Sequence, residues 1–208
     1  MRDLAGAVLI VRIGMASNAL SAQVNAAHDA SGRGDRSEAV KNRDLITSFA
    51  TTCALTFEAT RLAQENMPAL RTLAAAAPAQ LLVEIGQLCG GKHAASELLN
   101  RARNQLGFHW DVDVIANSVV EYGKNERLVW IESDDHEVMS SLAFQVLNRA
   151  LFPDADTPDE VKAREVVERG MAQMADAVRV LVEFFNYSVS GYLKQIGATQ
   201  RRRSIGDG

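Results

Sequence analysis

Arg103-Asn104-Gln105-Leu106-Gly107-Phe108-His109 joins the two side chains that metal-free phosphodiester chemistry needs most. Histidine titrates near neutrality, so a placed imidazole takes a proton from a hydroxyl nucleophile or gives one to a leaving oxygen. Arginine stays charged and presents a planar fork that grips two phosphate oxygens as negative charge builds. RNA carries its own nucleophile in the 2′-OH, which DNA lacks. On an unbroken helix, six residues put Arg103 and His109 roughly 120° apart in azimuth and about 9 Å apart along the axis. Convergence on one phosphate then requires the reach of the arginine, a helix break at Gly107, or completion by a symmetry mate. The same wheel lines His109 up with Leu98 and Ala102, the register of a hydrogen-bonded core histidine. It puts Arg103 at the edge of an apolar stripe, where an acid such as Asp111 would pair with it. Both readings stay open at the level of sequence.

Two other constellations are weaker. Gly86-Gln87-Leu88-Cys89-Gly90-Gly91-Lys92 matches half of a phosphate-binding loop and follows the strand-like run Leu81–Ile85. His93 stands where a magnesium-holding hydroxyl belongs, and a parallel sheet to present the loop is missing from the pattern, so these glycines are expected to end a helix. His109, Asp111, Asp113, Asp134, Asp135 and His136 lack the helical spacings of a metal site and have no cysteine beside them. Neither a metal nor a cofactor is expected.

An arginine followed at once by asparagine, with a histidine six positions on, resembles the motif of the HEPN superfamily, where asparagine, aspartate or histidine favours the place after the arginine. The resemblance covers residues 103–109 and the helical character of the chain around them. It implies a dimerising α-helical bundle and a metal-independent endoribonuclease, of the kind found in antiphage, toxin–antitoxin and RNA-processing systems. Carried onto this chain, it implies Arg103 and His109 as catalytic residues, Asn104 as their helper, RNA as substrate, and an antitoxin or other protein as a further partner. Asp111 stands where many members carry a tyrosine, and further helical segments follow the motif, which in small members sits close to the last core helix. Relatives that only scaffold or bind RNA imply the alternative, a non-catalytic helical scaffold or RNA/protein-binding module.

Composition sets the frame for these residues. The 208-residue chain is 47% hydrophobic, 23% charged and 6% aromatic, with four prolines. That length suits one domain, and the alanine-rich, aromatic-poor balance favours helices over sheets. A net charge of −4 argues against a duplex-DNA binder. Two cysteines cannot build a disulfide framework, so both are expected to be free, in a reducing, cytoplasmic setting. Arg12 interrupts the apolar run Ala5–Val11 short of a membrane span, so no membrane is expected as a partner.

The elements that must position the motif read as an all-α bundle of about five to seven helices with a long C-terminal helix and at most one short β element. Residues 1–200 form a single helical domain and 201–208 a disordered basic tail. The first helix runs from Asp3 to about Ala30, with Leu4, Val8, Val11 and Met15 in one row and Leu9, Ile10, Ile13, Leu20 and Val24 on other faces. Apolar on several sides, it is expected to be well buried. A loop at Ser31–Asp35 leads to a second helix over 37–66, with Ile46, Phe49, Cys53 and Phe57 in its stripe. Pro68 and Pro78 divide the next stretch into pieces over 68–77 and 78–89. Helices follow over 93–106, 111–122 and 134–152, with a turn at Gly123–Asn125 and an isolated strand at Leu128–Ile131. Thr157-Pro158-Asp159-Glu160 supplies an N-cap hydroxyl, a first-turn proline and a capping-box glutamate for the last helix, and Gly197 ends it. Its stripe of Val167, Met171, Met174, Val178, Leu181, Phe185, Val189, Tyr192 and Ile196 is longer than a domain of this size requires. Part of it is therefore expected to pair with another subunit in a homodimer.

Overall fold

A computed structural model describes residues 4–32, 38–102, 151–155, 157 and 159–198. Among them the chain is all α. Six helices are present: α1 (Leu4–Gly32), α2 (Glu38–Glu65), α3 (Met67–Leu73), α4 (Ala79–Cys89), α5 (Ser96–Arg101) and α6 (Glu160–Gln195), with a 3-10 turn at Pro153–Ala155 before the last. Outside the described residues lie Arg103, Asn104, His109, the strand expected at Leu128–Ile131, the metal-type acid and histidine groups, and the tail 201–208.

The long helix α6 is the hub. Its 36 residues span about 54 Å, and it packs on α1, α2, α3, α4 and the 3-10 turn. Ala177, Val178, Val180, Leu181, Phe184 and Phe185 are all buried, a stripe wide enough to meet neighbours on more than one side. Ile13 and Leu20 of α1, Phe49, Cys53 and Thr56 of α2, Leu70 of α3 and Ile85 of α4 complete the core. α1 and α2 pack against each other, and their connection at 33–37 is short enough to make them an αα-hairpin. Buried hydroxyls on α2 stay satisfied locally: Thr56 Oγ1 donates to the Thr52 carbonyl at 2.6 Å and Thr52 Oγ1 to that of Ser48 at 2.8 Å.

The stripe of α6 is used inside the chain. Met174, Val178, Leu181 and Phe185 are buried by the neighbouring helices, so the middle of the stripe is covered within the chain, while Val167, Met171, Val189 and Tyr192 are half-buried and Ile196 is exposed. The first helix corrects the expectation of a well-buried element. Leu9, Ile13 and Leu20 are buried against α2 and α6, whereas Leu4, Val8, Val11 and Met15 face outward, as does Val24. By length and composition Leu4–Ala26 is also apolar enough to cross a bilayer, since Arg12 is the one charge within it.

Helix ends follow local chemistry. At α4, Gly91 adopts φ +70°, its N–H donates to the Leu88 carbonyl at 3.3 Å, and the Lys92 N–H donates to that of Gln87 at 2.8 Å. That is a Schellman stop, and it is repeated at α6 with Gly197 at φ +70°. The start of α6 lies later than its sequence suggests. Asp159, not Thr157, is the N-cap: its Oδ1 accepts from the Val161 and Lys162 amides at 3.1 and 3.2 Å, while Thr157 Oγ1 accepts from the Asp159 amide at 3.3 Å. Glu160 is then the first helical residue rather than a capping-box partner. Asp159→Ala is expected to cost about 1 kcal/mol in urea denaturation. Thr157→Ala should cost clearly less, and the reverse order would restore Thr157 as the cap.

Candidate functional site

The residues just before the motif form one wall of an open cleft of about 420 Å³. α5 begins at Ser96, three residues later than its sequence suggests, and brings Glu97, Leu98 and Arg101 to this wall. Val166, Arg169, Gly170 and Gln173 of α6 form the opposite wall, and Leu151, Phe152 and Asp154 close the end. Phe152 is buried and sits with its ring 5.6 Å from that of Phe49. It can lie there because residue 170 is glycine: a Cβ at that place would meet Phe152 Cε1 at 2.4 Å.

The floor is therefore apolar and the rim charged. Arg101 Nη2 pairs with Glu97 and its Nη1 donates to the Leu151 carbonyl at 3.5 Å, which fixes the guanidinium at the rim. Arg169 is exposed on the facing helix and has no ion-pair partner among the described residues. Glu97 and Asp154 offset this pair in net charge, so the rim is dipolar rather than uniformly basic. Among the described residues a phosphate oxygen would meet no acid at Arg169, whereas at Arg101 it would compete with Glu97. In volume the cleft is on the scale of a nucleotide-sized group. Arg103 follows Arg101 by two positions in the chain. The three motif residues Arg103, Asn104 and His109 lie outside the described residues, so their geometry is not part of this cleft as described.

The phosphate-loop match resolves as expected into a helix end. Leu81–Ile85 is the middle of α4 rather than a strand. The amides that would cradle a phosphate donate instead to carbonyls, Gly90 to Gly86 at 3.0 Å and Lys92 to Gln87 at 2.8 Å. Both cysteines are free thiols. Burial pushes Cys53 up to about 12 and Cys89 up to about 11, so neither is a thiolate nucleophile at neutral pH. Among the described residues no cluster of histidine, cysteine and acids could hold a metal ion.

A second polar group clamps α4 to α6. Arg179 donates to Glu84 at 2.9 Å, to Asp176 at 2.8 Å and to Glu183 at 3.2 Å. His93 Nε2 lies 3.2 Å from Asp176 Oδ2, and its Nδ1 accepts from the Ala95 amide at 3.1 Å, which fixes the proton on Nε2. Hydrogen bonds from Gln80 and Arg179 hold the Glu84 carboxyl below its usual range, and those from Arg179, then His93, do the same for Asp176. The histidine–aspartate pair ties the segment between α4 and α5 to α6 and reads as a strut. Because both carboxyls have depressed pKa values when folded, their contribution is present above about pH 4 and fades as pH falls through the folded values. Arg179→Gln is therefore expected to flatten the acid limb of stability between about pH 5 and 2. An unchanged acid limb in urea melts would leave the clamp without an electrostatic role.

Sequence reasoning missed Arg101, Arg169 and Gln173, of which the two on α6 come within reach of α5 through tertiary packing alone. No family model, no curated protein and no solved structure matches the chain.

Proposed function

We propose that this chain is a metal-independent endoribonuclease of HEPN type, with Arg103 and His109 as catalytic residues and Asn104 as their helper. The observation that supports this reading is that the segment leading into the motif lines a nucleotide-sized cleft with an apolar floor and an arginine on each wall. In this reading the rim arginines Arg101 and Arg169 hold the RNA backbone across the cleft. Arg103 neutralises charge on the scissile phosphate while His109 moves the proton between the 2′-OH and the leaving 5′-oxygen. A homodimer acting in the cytoplasm, within antiphage or toxin–antitoxin defence and restrained by a protein antitoxin, is the setting that the motif suggests.

The test is chemical. Purified protein should cut single-stranded RNA in EDTA and leave 2′,3′-cyclic phosphate and 5′-hydroxyl ends, because the neighbouring 2′-OH is the nucleophile. Cleavage that EDTA abolishes, or 3′-hydroxyl ends, would overturn the mechanism. A second reading, a non-catalytic helical interaction module, draws on the outward apolar face of α1. Saturable RNA or protein binding without cleavage of any RNA pool would favour it.

A further inference from the structure

We propose that the outward face of α1 is a self-association surface, on which α1 of a second copy packs antiparallel about a two-fold axis passing between Val8 and Val11. Leu4, Val8, Val11 and Met15 are 71%, 50%, 61% and 67% exposed. At 100° per residue they fall within about 60° of azimuth, directly opposite the buried row of Leu9, Ile13 and Leu20. The helix is thus apolar on two opposite sides, and among the described residues the bundle covers one.

Spacing identifies the occupant. The four residues are separated by four, three and four positions, the alternation of a coiled-coil seam. The pattern also reads the same in both directions. A two-fold axis at its centre sets Leu4 against the partner's Met15 and Val8 against the partner's Val11, so one patch complements itself. Arg12, the one charge on this part of the helix, stands beside the seam rather than on it. The four side chains expose roughly 400 Å² of apolar surface, at the scale of a functional patch. Pairing two such faces buries roughly 800 Å² of apolar side chain, and the flanks of both helices carry the contact toward the 1,200 Å² or so at which stable interfaces begin.

A lipid surface fits less well. α1 and α2 have nearly equal lengths, 29 and 28 residues, so the hairpin sets the C-terminal half of α2 beside the N-terminal half of α1. There Arg61 lies 3.7 Å from Glu58 and 3.3 Å from Glu65, all three exposed. A bilayer that took the α1 stripe to depth would have to accommodate charges of the same hairpin or draw α1 out of the bundle and strip Ile13 and Leu20 of their cover. A second copy demands neither.

The experiment uses the full chain and does not depend on any ribonuclease activity. Light scattering at about 50 μM should give a dimer, and Val8→Glu with Val11→Glu should weaken it at least ~100-fold with helicity retained, since both sites are exposed. Direction is read by cross-linking: protein with Leu4→Cys should form disulfides with protein carrying Met15→Cys but not with itself, and native Cys53 and Cys89 serve as unreactive background. A monomeric wild type, a dimer indifferent to the double variant, or Leu4→Cys bonding to itself would overturn the proposal. So would a monomer that floats with phosphatidylcholine or phosphatidylglycerol vesicles and stops doing so in the double variant, which would assign the face to lipid.

Discussion

Protein carrying His109→Ala is expected to cleave RNA roughly 10² to 10⁴ times more slowly than wild type, the span of a positioned acid–base group. Arg103→Ala should lose a comparable factor, carried mainly in kcat, because the guanidinium would be strongest against charge that appears only in the transition state. Arg103→Lys should rescue little, since an ammonium lacks the two-pronged geometry. Arg169→Gln makes the useful contrast: a rim residue that holds substrate should raise KM several-fold and leave kcat nearly intact. The distinction requires each variant to keep wild-type circular dichroism and assembly state. Cleavage that survives His109→Ala would remove His109 from the mechanism, and equal loss of kcat in Arg169→Gln would move the chemistry into the cleft itself.

Two glycine-to-alanine changes are expected to act with opposite sign. Alanine in a helix interior is favoured over glycine by about 1 kcal/mol, so an unhindered substitution stabilises. At Gly14 of α1 a Cβ meets nothing within 4 Å, and Gly14→Ala should raise stability by up to that amount. At Gly191 the added Cβ would stand 1.9 Å from the Leu73 carbonyl oxygen and 2.8 Å from its carbon. These are backbone atoms at the end of α3, which cannot swing aside as a side chain would. Gly191→Ala should therefore cost about 3 kcal/mol or more, as α3 is pushed off α6 and Leu70 loses its cover. Urea midpoints measure both. A neutral or stabilising Gly191→Ala would show that α3 and α6 do not approach so closely in solution.

Helix punctuation was legible because it is local. Gly90-Gly91 and Gly197 supply the left-handed residue that a Schellman stop needs, and Pro153 ends the helix whose last turn includes Leu151. What misled was equally local. Thr157 and Asp159 are both cap-forming residues two positions apart, and the choice between them rests on which side chain reaches two free amides. α1 shows a deeper limit. Periodicity says that Leu4, Val8, Val11 and Met15 share a face and that Leu9, Ile13 and Leu20 share another, but not which face a neighbour covers. The cleft was beyond sequence reasoning for the same reason, since Arg101 and Arg169 are 68 positions apart. The motif itself rests on sequence alone.

The central place of α6 also has a consequence for synthesis. The hairpin of α1 and α2 leaves the ribosome long before α6, with Leu9, Ile13, Phe49 and Cys53 already made but lacking the cover that α6 adds to that of the hairpin itself. More than 90 residues separate Glu65 from Glu160, which at 5–20 residues per second is a delay on the order of ten seconds. Throughout that interval a nascent chain carries two apolar surfaces on α1, one covered by α2 alone until α6 arrives and one facing outward. Neighbouring chains on a polysome would meet through those surfaces before either could finish folding. The order of synthesis thus makes this hairpin the part of the chain with most to gain from shielding before α6 is made.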